Sequence, residues 1–245
     1  MNSNSYLCQN GPIGNQIITA GNLPDTVARM QTGILVEAVS PYWGGGEFVY
    51  ARANGTIRQF GLVVLTPAVV SGAFRYEMTE APNTANLGRS VFVAMTAMTT
   101  GQYGWFMKSG IVPVNCSASV AADTTFGIAA AGQGGANSAG KQILGGRVIL
   151  AAAATVARSA TANAGSYQLK VVGGVDGWFQ GIYLSGTGIA AGATVTDISP
   201  DGKTVTMSAV TTAAVNGTVT GTYNNATVYY NVAYINNPIA QGAIT

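Results

Sequence analysis

The chain has no histidine and very few charged residues. Of its 245 residues, 11 are basic and 9 are acidic, so 8% carry charge, against about 25% in a typical soluble domain. Without imidazole the chain cannot build a Ser-His-Asp or Cys-His catalytic set or a His-bearing metal site. A monomer with so little charge is poorly protected against association. We therefore expect a protein that is not an enzyme and has no cofactor, with much of its surface against other protein. A monomer with a Thr/Ser/Asn surface is the alternative.

The few carboxylates form no evident acid–base pair. Glu77 and Glu80 are close in sequence, but Pro82 follows them and would end any helix that aligned them. Asp201 lies in a Pro-Asp-Gly turn, where aspartate has a conformational role. Carboxylates distant in sequence can still meet in space, so a carbohydrate-active enzyme or lectin stays open as an alternative class.

Other absences limit the partners. The basic residues are scattered from Arg29 to Lys203, which predicts no direct nucleic-acid binding. No apolar run reaches about 18 residues, so no membrane-spanning helix is expected. The first twelve residues show no basic start followed by an apolar run, and we expect synthesis in the cytosol. Cys8 and Cys116 are the only cysteines; we expect free thiols, with a disulfide as the alternative.

Residues 1–30 are predicted to form an extended N-terminal arm. Prolines at positions 12 and 24 and glycines at 11, 14 and 21 argue against regular structure there. We expect the arm to be disordered in the free protein and to become ordered on a partner. Its apolar candidates for partner contact are Ile13, Ile17, Ile18 and Leu23.

From residue 33 onward the patterns are those of strands. GILVEAVS, EFVYARA, SVFVAMTAM, QYGWFMK and ILGGRVIL are short apolar or alternating runs. Asn54-Gly55 predicts a hairpin between the runs on either side of it. We interpret Gly44-Gly45-Gly46 as a turn and not as a phosphate cradle, since neither a helix nor a lysine follows. Pro113 predicts a strand edge or strand end.

The composition changes after residue 150. Residues 151–165 are small and nearly uncharged, and we interpret them as a linker. Five short β runs follow up to residue 223, with a tight hairpin turn at Asp201-Gly202. The closing run alternates between residues 228 and 234, which returns it to the first sheet in the simplest topology.

The predicted fold is therefore all-β and has three parts. They are an extended arm (1–30), a sandwich- or barrel-like main β domain (31–155 plus 224–245) and a small inserted β domain (156–223). The insertion is expected to fold on its own and to face outward.

Three segments carry a family resemblance. They are Gly44 to Tyr50 (GGGEFVY), Gln102 to Val114 (QYGWFMKSGIVPV) and Pro238 to Thr245 (PIAQGAIT). In this order they resemble the capsid decoration (cement) proteins of tailed bacteriophages, over most of residues 33–150 and 226–245. The resemblance implies a structural virion protein on the outer surface of the assembled head, commonly a homotrimer. It would stabilise contacts between major capsid protein subunits and would have no catalytic site.

A second class of virion protein remains open. The stretch from Tyr183 to Tyr223 is similar to small β modules that recur in phage virion proteins, including tail proteins. A tail or fibre component that binds a receptor or a host-surface glycan is the alternative function. The threonine-rich strands of this stretch favour the alternative. The neighbouring Trp178 and Phe179 favour it as well if their rings are exposed; the opposing interpretation places both rings in the core of the insertion.

Overall fold

A computed structural model describes most of the chain. The described residues are 5–8, 17–19, 24–40, 44–66, 68–70, 73–152, 154–199, 201–224 and 228–242. Within these ranges all regular structure is strand, arranged in sheets of twelve, six and two strands. The predicted all-β class is confirmed.

The strands are numbered in chain order. They are β1 (Ser5–Cys8), β2 (Ile17–Thr19), β3 (Leu35–Ser40), β4 (Gly44–Ala53), β5 (Leu62–Leu65), β6 (Ala68–Val70), β7 (Ala73–Arg75), β8 (Glu77–Glu80), β9 (Val91–Ala94), β10 (Tyr103–Cys116), β11 (Phe126–Ala130), β12 (Gln133–Ala136), β13 (Ile143–Leu150), β14 (Thr155–Ala162), β15 (Gln168–Val171), β16 (Tyr183–Ser185), β17 (Val195–Ile198), β18 (Thr204–Met207), β19 (Val215–Thr222) and β20 (Tyr229–Ala240).

Five strands of the large sheet pair in a closed ring. β4 pairs with β10, β10 with β9, β9 with β5, β5 with β8, and β8 returns to β4 in parallel. A ring has no free edge between its members, so each strand is paired on both sides over part of its length. The ring encloses its own apolar cluster, which includes Val49, Ile57, Met78, Phe92 and Phe106.

A second ring uses the other half of β10. β10 pairs with β20, β20 with β13, and β11 with β12, which meets β10 at Cys116. The isolated bridges Thr124–Val148 and Gly127–Gln142 connect β11 and the residues before it to β13 and the residue before it. The two rings meet at a register shift between Met107 and Ser109. β10 can serve both rings because such a bulge bends a strand and increases its twist.

The six-stranded sheet lies between β13 and β20 in the chain. Its order is β16-β19-β14-β15-β18-β17. Thr155 at its start pairs with Thr222 at its end, so the chain enters and leaves this sheet at one place. β20 pairs with β13 and β10, which confirms that the closing strand returns to the first sheet. The sheet ends one residue from each predicted boundary of the insertion; its independent folding stays a prediction.

The two large sheets share one core through an aromatic cluster. Phe179 of the inserted segment meets Phe60 edge-on, with 5.9 Å between ring centroids, and meets Tyr230 at 5.7 Å. On its other side it stacks on Tyr223 at 5.3 Å. All four rings are buried. The inserted sheet therefore covers apolar surface of the main body and is not joined to it by chain connections alone.

Two predicted turns are corrected. Gly44, Gly45 and Gly46 are not a turn but the first residues of β4, paired with β3. A Cβ at Gly46 would lie 2.9 Å from Met107 Cε, so glycine lets β4 approach β10. The predicted hairpin at Asn54-Gly55 is also wrong, because β4 and β5 each pair with other strands of the ring and not with each other. Gly55 does have a positive φ of 124°, as a turn residue can. The error is in the expectation that the next strand, β5, pairs with β4.

Three further local predictions differ from the structure. The supposed linker 151–165 contains β14, a central strand whose small residues pair with β15 and β19. The arm contains two strands, because β1 pairs with both β2 and β3. Pro113 lies inside β10 and not at its end, so the strand-end alternative is wrong, whereas the edge alternative agrees with the missing pairing on one side of β10 at this residue. It is tolerated because β20 pairs with one edge of β10 there, while the described pairings of the other edge stop at Ser109 and resume at Cys116.

Candidate functional site

The two carboxylates that are close in sequence, Glu77 and Glu80, form structural ion pairs. Glu77 is buried and lies 2.6 Å from Arg52 Nη1, beside the parallel pairing of β4 and β8. Glu80 accepts a hydrogen bond of 3.0 Å from the backbone N–H of Arg58 and lies 3.3 Å from the same residue's guanidinium. Glu77 and Glu80 thus each have their own arginine, and neither is arranged as one member of an acid–base pair.

Asp25 anchors the end of the arm to the main body. Its backbone exchanges two hydrogen bonds with Tyr103, at 2.9 and 2.8 Å. Its carboxylate accepts a hydrogen bond of 2.8 Å from the hydroxyl of Tyr50 and lies 2.6 Å from Arg29 Nε. Burial is the main cause that raises the pKa of Tyr50 to about 12. Tyr50 therefore stays a neutral hydrogen-bond donor at any physiological pH.

The one described thiol is buried among apolar residues. Cys116 is a free cysteine at the end of β10. Burial raises its pKa to about 11, against a smaller opposing effect of hydrogen bonding with Asn231. A reactive cysteine needs a lowered pKa and access to solvent, and Cys116 has neither.

Asn231 is a buried polar residue that the sequence analysis did not identify. Its Oδ1 accepts hydrogen bonds from the backbone N–H groups of Val120 (3.1 Å) and Ala152 (2.8 Å), and its Nδ2 donates to the carbonyl of Ala118 at 3.4 Å. One side chain thus ties two connecting segments to β20. The only sequence signal was an asparagine within the alternating apolar run at 228–234.

The described residues contain no group of three or more His, Cys, Asp or Glu side chains that could hold a metal ion. Among the same residues, no helix has the length and apolar character needed to cross a membrane. The raised pKa values of Tyr50, Tyr223, Tyr230 and Cys116 all have burial as their main cause. The perturbed groups of the core are therefore explained by packing.

The predicted contact residues of the arm fall partly outside the described residues. Ile13 and Leu23 lie outside them. Ile17 and Ile18 are in β2, where the backbone pairs Ile17 with Leu7 and Ile18 with Tyr6. Their contact with a partner stays a prediction.

Trp178 and Phe179 are not exposed aromatics. Their exposed fractions are 1% and 0%, and the indole N–H of Trp178 donates to the carbonyl of Val156 at 2.9 Å. The idea that these rings form a receptor-binding surface is therefore wrong. They are core residues, because Trp178 lies over β14 and Phe179 joins the aromatic cluster between the sheets.

Apolar side chains are exposed on the outer face of β13 and β20. Leu144 pairs with Ile239, and Arg147 pairs with Tyr234. We call the exposed apolar set on these strands the β13–β20 face; it consists of Leu144, Ile149, Tyr234 and Ile239.

The only charge on the strands of this face is paired. Arg147 Nε lies 2.6 Å from Asp123 Oδ1, and this arginine lowers the pKa of the Asp123 carboxyl. Its carboxylate therefore stays ionised, and the pair intact, to lower pH than an isolated aspartate would allow. The two strands of the β13–β20 face thus carry no unpaired charged side chain.

Comparisons with known proteins add no relative. No family model, curated protein or solved structure matches the chain.

Proposed function

We propose that this chain is a structural phage virion protein that binds the outer surface of the assembled head and stabilises contacts between major capsid protein subunits. The observation that carries the proposal is the β13–β20 face. Its four large apolar side chains are each about half exposed, and they lie on two hydrogen-bonded strands. Contiguous exposed apolar surface of a few hundred Å² commonly marks a protein interaction site.

The chemistry of this face suits a protein partner. Burial of apolar surface contributes roughly 25 cal/mol per Å², and the four apolar side chains on these two paired strands can contribute to the same contact. Its only charged pair, Arg147 with Asp123, is already formed, so docking would leave no isolated charge away from water. Small-molecule sites are usually concave, whereas a contact with another protein does not need a concave surface.

The resembling segments come together in space. Gly44 to Tyr50 lies in β4, Gln102 to Val114 covers most of β10, and Pro238 begins the closing segment in β20. β10 pairs with β4 along its first half and with β20 along its second. The first two segments are therefore direct neighbours. The closing segment continues the strand that pairs with β10, but its own residues Ile239 and Ala240 pair with β13, and Ile239 belongs to the β13–β20 face. This proximity supports the family resemblance but is not a test of it.

Co-sedimentation with heads tests the proposal. Purified protein is mixed with heads of the encoding phage that lack it, and the pelleted fraction is measured. Tyr234→Asp and Ile149→Asp are each expected to reduce binding by at least tenfold, because a charge would be buried in the contact. Tyr167→Asp is the matched control, since Tyr167 is 55% exposed on the six-stranded sheet and Tyr234 is 47% exposed.

The control variant is expected to bind heads as the unaltered chain does. Equal binding by all the variants would contradict the assignment of the β13–β20 face to the head. The mass in solution of each variant is measured alongside, with a homotrimer expected for the unaltered chain. If Tyr234→Asp dissociates the trimer and the resulting monomer still binds heads, the β13–β20 face is a subunit contact and the head contact lies elsewhere.

The tail or fibre alternative loses one of its two supports, because Trp178 and Phe179 are buried; the threonine-rich strands are the support that stays. We do not propose it as a second function.

A further inference from the structure

One end of the six-stranded sheet carries a polar cleft of about 540 Å³. Three of its lining residues form a row across neighbouring strands. Thr161 of β14 pairs with Lys170 of β15 on one side and with Asn216 of β19 on the other. Asn163 and Gln168 also line the cleft. Because adjacent strands are about 4.8 Å apart, the row presents three different polar groups at nearly equal spacing.

The polar part of the lining combines hydroxyl and carboxamide groups with one cation, and Ala162, Ala214 and Val215 form its apolar part. No carboxylate lines the cleft. Lys170 is exposed, and it forms no ion pair with any residue that the structure describes. Asn163 and Asn216 each bring one amide that can donate and accept. The cleft can therefore match a ligand that offers several hydroxyl groups and one negative charge.

We propose that this cleft binds an acidic saccharide, a sugar that carries a single carboxylate. Lys170 would face the carboxylate, while Thr161 and Asn216 would exchange hydrogen bonds with ring hydroxyls. A phosphate group fits less well, because phosphate sites usually combine several charged donors or a series of backbone N–H groups, and the cleft has one lysine. This site goes beyond head attachment and does not depend on it.

The position of the cleft is compatible with head attachment. The proposed head contact is on β13 and β20, whereas the cleft is formed by β14, β15 and β19 of the other sheet. Loss of either activity by mutation should leave the other intact. The two proposals can therefore fail separately.

Titration of the full chain with galacturonic acid, followed by amide resonances in NMR, tests the site. Galactose is the matched neutral probe, since it has a hydroxymethyl group where galacturonic acid has the carboxylate. We expect shifts concentrated at Thr161, Lys170 and Asn216, and affinity for galacturonic acid at least twofold above that for galactose. Lys170→Met should weaken galacturonic acid binding by about two- to fivefold and leave galactose binding unchanged.

Two further variants complete the test. Asn216→Ala should weaken binding of both sugars, because it removes hydrogen bonds that both can make. Lys203→Met is the charge-matched control; Lys203 is exposed on the same sheet but does not line the cleft, and its loss should change neither affinity. All positions are at the surface, and equal melting temperatures would verify that the variants fold.

Several results would overturn the proposal or part of it. Absence of shifts in the cleft with both sugars at millimolar concentration would overturn the proposal and leave the cleft as ordinary solvated surface. Equal affinity for the two sugars, or equal weakening by Lys170→Met and Lys203→Met, would overturn the role assigned to the carboxylate. Shifts with inorganic phosphate stronger than those with galacturonic acid would reassign the cleft to a different anion.

Discussion

Phe179→Ala is expected to destabilise both large sheets at once. Phe179 is fully buried, and its ring contacts Phe60 and Tyr230 on one side and Tyr223 on the other. Removal of a buried phenylalanine ring typically costs about 3–5 kcal/mol, through lost transfer free energy and the cavity that remains. Each aromatic pair contributes about 0.5–1.5 kcal/mol beyond its buried area. Because Phe179 takes part in three such pairs, we expect the loss of unfolding free energy to lie in the upper part of the range of about 3–5 kcal/mol.

The measurement is unfolding in guanidinium chloride, combined with hydrogen exchange read strand by strand. Because Phe179 joins the two sheets, exchange should accelerate in β5 of the main body as well as in β19 of the inserted sheet. Phe126→Ala is the control. Phe126 is equally buried but lies on β11 in the second ring, so its loss should lower the unfolding free energy by a similar amount without acting at the contact between the sheets.

Two results would refute this reasoning. One is a loss below about 1 kcal/mol; the other is faster exchange confined to the inserted sheet. Either would mean that the insertion folds as a separate unit, as the sequence predicts. In that case replacement of residues 156–223 by a short Gly/Ser linker should leave the stability of the main body unchanged. If the two sheets share one core, that replacement should lower the stability of the main body, because the rings of Phe60 and Tyr230 would become exposed to solvent.

Three other predictions concern the core and the arm. Asn231→Ala should lower the unfolding free energy by roughly 2–4 kcal/mol, since it leaves two buried N–H groups without an acceptor, whereas the exposed Asn236→Ala should change it by less than about 0.5 kcal/mol. In a Cys8→Ser variant, Cys116 should resist thiol reagents near pH 8 in the native state and react fully in denaturant, because its raised pKa leaves the buried thiol protonated; rapid native labelling would contradict this. Deletion of residues 1–23 should weaken head binding and leave the melting temperature within a few degrees, as the Asp25 anchor is retained; unaltered head binding would show that the arm is not an attachment element.

Local alternation predicted the strands well. In KTVTMS, the side chains of Val205 and Met207 are buried, as the two-residue period requires. The Asp201-Gly202 turn joins β17 to β18, and the Asp201 carboxylate accepts a hydrogen bond of 3.0 Å from the N–H of Lys203. These features depend on residues within a few positions of one another, so the local sequence is sufficient to predict them.

Strand partners could not be predicted in the same way. Asn54-Gly55 gives a turn, but closure of the five-stranded ring determines that β5 pairs with β8 and β9. Residues 151–165 look like a linker because small residues dominate them, although pairing on both edges makes Thr155–Ala162 a central strand. Such choices depend on burial across the whole sheet, which a local pattern does not specify.

The two candidate surfaces could not be predicted from the sequence for a related reason. Leu144 and Ile239 occur in the short runs ILGGRVIL and NNPIAQG, whose glycine and asparagine residues interrupt the alternation, so the pattern does not indicate which apolar side chains stay exposed. The polar cleft requires Thr161, Lys170 and Asn216 to be cross-strand neighbours, although more than fifty positions separate the first from the last. The threonine-rich strands can be predicted from the sequence, but their pairing and register cannot.

The most direct test of the account is electron cryomicroscopy of tailless heads of the encoding phage, purified without this protein and then incubated with it. The account predicts additional density on the outer head surface at sites between major capsid protein subunits, with the β13–β20 face toward the head and the six-stranded sheet facing away. Heads that remain undecorated at saturating protein concentration, while intact virions carry the protein on their tails, would contradict it.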